Sequence, residues 1–126
     1  MQTFFDACVE AALWSSTDNS RPDGGDPLDQ NYIPADIDRA SFEKMRADCE
    51  KFQRENEEWL QPENVNTRYG VDAQAGHDFW LTRCGHGCGF WDGDWSEPAA
   101  TKLTEASKRF GDVDLYVGDD GKVYAS

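Results

Sequence analysis

Basic residues are scarce in this chain. Twelve Lys and Arg side chains stand against twenty-five Asp and Glu, which leaves a formal net charge of −13 over 126 residues. Such a surplus should repel nucleic acid and anionic membranes and attract basic protein surfaces. Residues 1–65 carry the larger share, with fifteen acids against six bases, whereas residues 66–126 carry ten against six. The alternative is that the charge serves only to keep a domain in solution.

Long hydrophobic runs are also absent. No window of the sequence approaches the roughly 18 apolar residues that a membrane span requires. The opening stretch, MQTFFDACVEAALW, lacks basic residues and carries Asp6 and Glu10 among its apolar residues, which argues against a signal peptide. We therefore expect a cytoplasmic protein without a membrane partner, whose four cysteines are mostly free thiols.

The familiar catalytic signatures are missing as well. The sequence contains no nucleophile elbow, no HExxH zinc motif, no phosphate-binding loop and no dinucleotide fingerprint. At this length we expect a single domain, residues 1–126, whose core draws on an aromatic content of 13%. We expect neither a cofactor nor direct contact with nucleic acid, and the sequence leaves the oligomeric state open.

Hydrophobic spacing predicts three helices. The first covers about residues 3–14, where apolar and acidic residues take opposite sides. The second begins near residues 38–41 and runs to about Leu60, with an apolar seam suited to covering a sheet. The third is capped by Ser96 and ends at Gly111.

The most unusual part of the sequence is residues 76–95, GHDFWLTRCGHGCGFWDGDW. It holds three of the five tryptophans, both histidines and two of the four cysteines, and its glycines argue against a helix. We interpret it as a β-hairpin that turns within residues 84–88. Residues 113–117 alternate in polarity ahead of the turn residues 118–121, which predicts a second hairpin. The expected fold is α+β, with about three helices packed on a small, mostly antiparallel sheet made of two β-hairpins.

The register of the first hairpin decides which of its side chains meet, and sequence leaves it open. A three-residue loop pairs Cys84 with Cys88 and gives the cleaner apolar face, so we favour it over a two-residue turn. In both registers an aromatic ring lies beside acidic groups on one side of the ribbon. Such a surface suits a basic partner, through ion pairs and cation–π contacts. The alternative is that helices cover both faces and the acids only rim the core.

The candidate partner-binding residues combine acids at the end of the second helix with aromatic and acidic side chains of this hairpin. The acids crowd a helix terminus where the helix dipole disfavours negative charge, which indicates that the charge has a use. The large rings would anchor the contact. The nine candidates are Glu55, Glu57, Glu58, Asp78, Trp80, Phe90, Trp91, Asp92 and Asp94.

A metal or a disulfide is an alternative use of the hairpin turn. Cys84, His86 and Cys88 could bind zinc together with His77, although structural zinc sites usually combine ligand pairs from separate segments. The two cysteines could instead form a cross-strand disulfide, which a reducing cytoplasm disfavours.

Catalysis is a further alternative. General acid–base chemistry in a small hydrolase-like enzyme would centre on His77, His86 and Asp92. The acidic residues at 92–94 or 119–121 could also begin a calcium loop, but both lack the full ligand pattern. Because no catalytic signature accompanies them, we favour a protein that is not an enzyme.

The sequence resembles a family of small acidic proteins encoded by bacteriophages and other mobile elements. The likeness covers nearly the whole chain in matching order, and its loop reads more like RNGHGAGFWD in that family. Cys84 and Cys88 depart from this pattern, which weakens the zinc and disulfide interpretations. The matching segments are ALWSSTD at 12–18, GDPLD at 25–29, GHDFWLTRCGHGCGFWDGDW at 76–95 and DLYVGDDG at 114–121.

This resemblance implies a gene expressed inside a bacterium. Small, strongly acidic proteins of that setting are similar to anti-defence inhibitors, including DNA-mimicking antirestriction and anti-CRISPR proteins. The leading expectation is a protein that imitates phosphate charge and thereby binds and inhibits a host nucleic-acid-binding defence protein with a basic surface. The alternatives are the hydrolase-like enzyme and a phage regulatory or structural protein without a host target.

Overall fold

The computed structural model describes residues 2–20 and 25–126. Within these ranges the chain forms four α-helices and two separate antiparallel pairs of short strands. The helices are α1 (Phe4–Ser15), α2 (Arg39–Glu55), α3 (Val71–Arg83) and α4 (Ala99–Lys108). The strands are β1 (Thr17–Asp18), β2 (Asp26–Pro27), β3 (Leu115–Val117) and β4 (Val123–Ala125), and short 3₁₀ helices cover Leu28–Gln30, Pro34–Asp36 and Pro62–Asn64. None of the helices in these ranges is both long and apolar enough to cross a membrane.

The predicted fold class is wrong in its sheet. Residues 76–95 form no hairpin in either register, because residues 76–83 belong to α3 and the remainder is an irregular loop. Strand β1 pairs with β2 and β3 pairs with β4, so the described ranges contain no common sheet for the helices to cover. The part of the chain that the structure describes is α+β, with four helices and two small antiparallel strand pairs. The β3–β4 hairpin places Tyr116 opposite Tyr124.

Helix α3 is buried on most sides by the rest of the protein, and hydrophobic spacing in the sequence therefore does not predict it. Nine of its thirteen residues are buried, and polar Thr82 and Arg83 are among them. Its sequence therefore lacks the apolar stripe and polar face of a surface helix. Gly76 marks a close approach, because a Cβ there would lie 2.0 Å from the carbonyl oxygen of Phe4 in α1. Glycine in a helix interior costs about 1 kcal/mol, and the tight packing of the two helices offsets that cost.

Local hydrogen bonds set the ends of α1 and α2. In α1 the Thr3 hydroxyl accepts from the Asp6 N–H at 3.0 Å, while the Asp6 carboxylate accepts from the Thr3 N–H at 3.4 Å. Helix α2 ends at Glu55 rather than near Leu60. There the backbone N–H and the side-chain amide of Asn56 both donate to the Phe52 carbonyl oxygen, at 3.0 and 2.9 Å, and close the last turn.

The first turn of α4 is capped by Glu97 and not by Ser96 as the sequence predicts. The Glu97 carboxylate accepts from the N–H and the hydroxyl of Thr101, at 2.9 and 2.8 Å. The Ser96 N–H instead donates to the Asn64 carbonyl oxygen at 2.8 Å. Ser96 thus ties the loop before α4 to the segment that follows α2.

The core is an aromatic cluster between the helices. The ring of Phe79 in α3 stacks on Phe52 of α2, with centroids 4.3 Å apart. Phe4 of α1 lies 5.9 and 5.8 Å from these two rings, and Phe90 lies 5.8 Å from Phe52. All four side chains are buried. Rings packed at such distances contribute beyond the apolar area that they bury.

Arg83 connects three parts of the fold from inside the protein. Its guanidinium donates to the Asp48 carboxylate at 3.0 Å and to the carbonyl oxygens of Phe110 and Gly111 at 3.0 and 2.8 Å. The group also lies 5.4 Å from the Phe79 ring centroid. A buried charge is tolerated when it is paired and hydrogen-bonded, and each of the three Arg83 nitrogens donates a hydrogen bond, one of them to a carboxylate.

Candidate functional site

The loop that follows α3, residues 84–96, folds back against that helix. The Phe90 N–H donates to the Thr82 hydroxyl at 3.1 Å. A Cβ at Gly89 would lie 2.2 Å from the same hydroxyl, so the close approach requires glycine. The Asp92 carboxylate accepts from the Gly89 N–H at 3.3 Å and closes the turn. These contacts direct Phe90 inward and leave Trp91 outside.

Asp78 anchors the end of this loop from within the protein. Its carboxylate accepts from the indole N–H of Trp95 at 2.8 Å and from the Gln74 amide at 3.0 Å. Burial raises the pKa of Asp78 above its usual range, although both hydrogen bonds act in the opposite direction. A buried carboxylate with two internal donors positions the loop and is not available to a partner.

Three of the nine candidate partner-binding residues therefore lie inside the protein, namely Asp78, Trp80 and Phe90. The Trp80 indole N–H donates to the Ser15 hydroxyl at 3.2 Å, which ties α3 to the end of α1. The exposed aromatic–acidic ribbon that the hairpin interpretation predicts does not exist. A strand would have placed residues 78 and 80 on one outer face, whereas in α3 both positions are enclosed by neighbouring elements.

Trp91 is the candidate aromatic residue that reaches solvent, with 52% of its surface exposed. Together with Trp95 it lines a groove of about 210 Å³ between the loop and α4. Glu97 and Glu105 line the same groove, and its lining includes no Lys or Arg. The neighbouring candidates Asp92 and Asp94 are exposed. We call Trp91, Asp92, Asp94, Glu97 and Glu105 the acidic–aromatic patch.

Sequence reasoning misses two members of this patch. Glu97, Thr101 and Glu105 are spaced by four residues, which places them on one side of the α4 segment. This spacing is the sequence feature that could have indicated that Glu97 and Glu105 lie on the same side. The packing of the 84–96 loop beside that side of α4 depends on contacts between residues far apart in the sequence, so local sequence patterns do not predict it.

The acids at the end of α2 are exposed but lie outside the patch. Glu55, Glu57 and Glu58 do not line the groove beside Trp91. Glu55 instead lines a separate depression with Lys51 and Arg109, whose positive charges offset its own. The structure therefore divides the nine candidates among the core, the loop beside α4 and the end of α2.

The two cysteines of the loop are free thiols, and no disulfide joins them. The Cys84 thiol donates to the Val113 carbonyl oxygen at 3.6 Å, and burial raises its pKa to about 11. Burial and the nearby Asp92 also raise the pKa of Cys88. Both thiols are therefore protonated near neutral pH, which makes them weak nucleophiles.

The two histidines lie in different surroundings. The His77 ring packs against Trp14, with centroids 5.9 Å apart. His86 lines a different groove, of about 220 Å³, with Cys84, Ser15 and other polar residues, and Asp92 is not part of that lining. In the ranges that the structure describes, no group of three or more His, Cys, Asp or Glu side chains could hold a metal ion.

The acidic–aromatic patch is the arrangement best suited to recognition. It offers a half-exposed indole and carboxylates that can accept hydrogen bonds from a guanidinium or an ammonium group. Its members are held on a loop fixed at Thr82 and Asp78 and on the side of a helix, so the patch is formed before any partner binds. Compared with known proteins, the chain matches no protein-family model, no curated protein and no solved structure.

Proposed function

We propose that this protein binds a basic surface of another protein through the acidic–aromatic patch, and that it thereby inhibits a host nucleic-acid-binding defence protein. The observation that carries the proposal is the 52% exposed Trp91 in a groove lined by Glu97 and Glu105 and by no cationic side chain. An indole face attracts a cation, and carboxylates beside it can form charge-assisted hydrogen bonds to the same group. Arginine fits both contacts at once.

The distribution of charge supports the same partner. Among the Asp and Glu side chains of residues 2–20 and 25–126, Asp18 and Asp78 are the buried ones. The remainder contribute to a surface with a surplus of negative charge, consistent with the net −13 of the chain. Such a field draws in a basic surface from a distance and raises the rate of encounter. A basic cleft that normally receives nucleic acid, with one negative charge for about every 1.7 Å of duplex, presents the complementary field.

In this proposal the protein acts by competition. It occupies the positively charged cleft of a restriction or CRISPR effector and excludes the nucleic acid, in the cytoplasm of a bacterium that carries the phage or mobile element. The side chains of the patch supply the specific contact, while the wider surface charge supplies attraction. No catalytic step is required, and Cys84, Cys88, His77 and His86 take no part.

The proposal can be tested with purified effectors, namely a guide-loaded CRISPR nuclease and a restriction endonuclease, by measuring DNA binding with increasing amounts of this protein. The wild-type chain should displace DNA from one of them, and added salt should weaken the inhibition. Trp91→Ala should weaken it at least about tenfold, as expected for an anchoring aromatic residue. Trp14→Ala is the matched control, because Trp14 is also 52% exposed and lies outside the groove.

Two results would overturn this proposal. One is equal inhibition by the wild type and by Trp91→Ala, since the patch would then have no part in binding. The other is displacement of DNA that persists unchanged at high salt, because a contact driven by opposite charges must weaken under screening. The double variant Glu97→Gln and Glu105→Gln separates the carboxylates from the indole, and it should lower the salt dependence.

A further inference from the structure

A second groove, larger and mostly apolar, lies along α1. It encloses about 450 Å³ and shares no lining residue with the groove beside Trp91. Three elements form it: α1, the 29–34 segment and the start of α2. Its apolar lining includes Phe5, Val9, Leu13, Tyr32, Ile33 and Phe42. We call it the α1 groove.

The residue spacing of α1 gives this groove an apolar floor and an acidic edge. Phe5, Val9 and Leu13 recur every four residues and so form one row along the helix. Asp6 and Glu10 follow the same spacing one position later and also line the groove. Asp29 adds a carboxylate from another segment, and no Lys or Arg belongs to the lining.

One wall of the groove presents an apolar side chain that the fold leaves uncovered. Ile33 is 61% exposed, although it lies beside a mostly apolar cavity. The Ile33 N–H donates to the Asp36 carboxylate at 2.8 Å, and the Ile33 carbonyl oxygen accepts from the Asp36 N–H at 2.9 Å. These two hydrogen bonds fix the backbone, so the side chain is held outward by the local turn.

Two aromatic residues that line the groove, Phe5 and Phe42, already contact a cationic side chain of this protein. The guanidinium of Arg46 lies 4.9 Å from the Phe5 ring centroid and 5.4 Å from that of Phe42. Its nearest carboxylate is that of Glu43, at 3.7 Å. A cationic side chain therefore fits against this aromatic pair, and the carboxylates that line the groove can serve further cations.

We propose that the α1 groove binds an amphipathic, cationic helix of a partner protein. The apolar face of that helix packs on Phe5, Tyr32, Ile33 and Phe42, above the buried Val9 and Leu13. Its Lys or Arg side chains reach Asp6, Glu10 and Asp29. The row from residue 5 to residue 13 extends about 12 Å along α1, which matches about two turns of a bound helix. This inference is independent of the proposed function, since it concerns a different surface and a different contact.

Charge decides between the occupants of such a groove. A second copy of this chain would bring a surface with a net charge of −13 against the carboxylates at the groove edge. Nucleic acid and anionic membranes would be repelled for the same reason. A neutral apolar helix would cover the exposed Ile33 but would bring no positive charge to the three carboxylates, of which Asp6 accepts from the Thr3 N–H and Glu10 from the Gln2 amide. A helix with one apolar and one cationic face satisfies both parts of the groove.

The probe for this proposal is a synthetic helical peptide of leucine and lysine, about 14 residues long, whose leucines fall on one face. The control peptide has the same composition in an order that gives no apolar face. Fluorescence anisotropy of the labelled peptides should show tighter binding of the first. Ile33→Ser should weaken that binding about tenfold, because the exposed Ile side chain is buried by the peptide. Glu10→Gln with Asp29→Asn should weaken it and reduce its salt dependence.

Matched variants keep this test separate from the proposed function. Tyr69→Ser removes another strongly exposed apolar side chain, 68% exposed and outside the groove, and should leave peptide binding unchanged. Circular dichroism checks that each variant is folded. Equal binding of the two peptides, or no effect of Ile33→Ser, would overturn the proposal. So would sedimentation showing a wild-type dimer that Ile33→Ser dissociates, because a second copy would then cover the groove.

Discussion

The indole N–H of Trp95 donates to the buried carboxylate of Asp78, with 2.8 Å between nitrogen and oxygen. This bond joins the end of the 84–96 loop to the middle of α3. It holds in place the loop that carries Trp91, so the geometry of the exposed patch depends on a pair hidden beneath it. The carboxylate is kept inside at an electrostatic cost, which has a measurable consequence.

The stability of the protein should carry a pH dependence from Asp78. Burial raises the folded-state pKa of this carboxyl above its ordinary value of 3.8. The folded protein therefore holds the proton more tightly than the unfolded chain does. The stability that Asp78 contributes through this proton is fully present below about pH 3.8 and is lost as the pH rises through the raised pKa. The difference in unfolding free energy between the wild type and Asp78→Asn, from urea titrations, should fall over that interval. A difference that stays constant with pH would contradict this account.

Gly76→Ala should destabilise the protein, although alanine favours helices. The added Cβ would lie 2.0 Å from the Phe4 carbonyl oxygen, which is backbone and cannot move aside cheaply. Overpacking of this kind costs about 1–3 kcal/mol or more, which exceeds the gain of about 1 kcal/mol in helix propensity. Gly87→Ala is the control, because a Cβ there meets no atom within 4 Å. Thermal unfolding should place Gly76→Ala well below the wild type and Gly87→Ala close to it.

Arg83→Met should be among the most damaging single substitutions. It leaves the Asp48 carboxylate and the carbonyl oxygens of Phe110 and Gly111 without their donor. The Asp48 side chain is 27% exposed, so water can replace its lost partner, and the main cost is that of the two carbonyl oxygens left without a donor, about 1–3 kcal/mol each. Arg46→Met provides the comparison, because the exposed pair with Glu43 and the contacts with the Phe5 and Phe42 rings that it removes contribute only about 1 kcal/mol each. Chemical denaturation of both variants measures the contrast, and similar losses for the two would contradict the role assigned to Arg83.

The thiols should react with iodoacetamide in a defined order. Cys88 is partly exposed and should be alkylated first. Cys84 should follow slowly and faster at alkaline pH, because burial raises its pKa to about 11. Cys8 should react only after unfolding, since its hydrogen bond with Cys49 and its burial both raise its pKa. Peptide mapping by mass spectrometry gives the order, and early labelling of Cys8 in the folded protein would contradict it.

Hydrophobic spacing predicts helices and strands that expose one side to water. It does not predict an element that is buried on all sides. Helices α1, α2 and α4 lie where the spacing predicts helices, although α2 ends earlier than expected. Helix α3 is enclosed on most sides, and it contains a glycine that resembles a turn residue in sequence. Gly76 is instead required by contact with Phe4, a partner seventy-two positions away in the chain. Such a requirement cannot be derived from local pattern.

The candidate site was predictable only in part for a related reason. Trp91, Asp92 and Asp94 belong to a run whose composition indicates a surface feature, and the structure exposes all three. Asp78 and Trp80 belong to the same aromatic and acidic segment but lie in the core, because residues 76–83 are helical. Composition identifies a segment of interest, whereas the choice between inside and outside depends on how its backbone runs.

The contact between Gly76 and Phe4 also bears on how the α1 groove would accept a ligand. One side of α1 packs against α3 so closely that a Cβ at Gly76 would clash with the Phe4 carbonyl oxygen, and another side forms the groove floor. The groove floor therefore rests on tightly packed helices and cannot shift when a ligand binds. An incoming helix would meet a rigid receptor whose ordering entropy was already lost during folding, so little affinity would be spent on rearrangement.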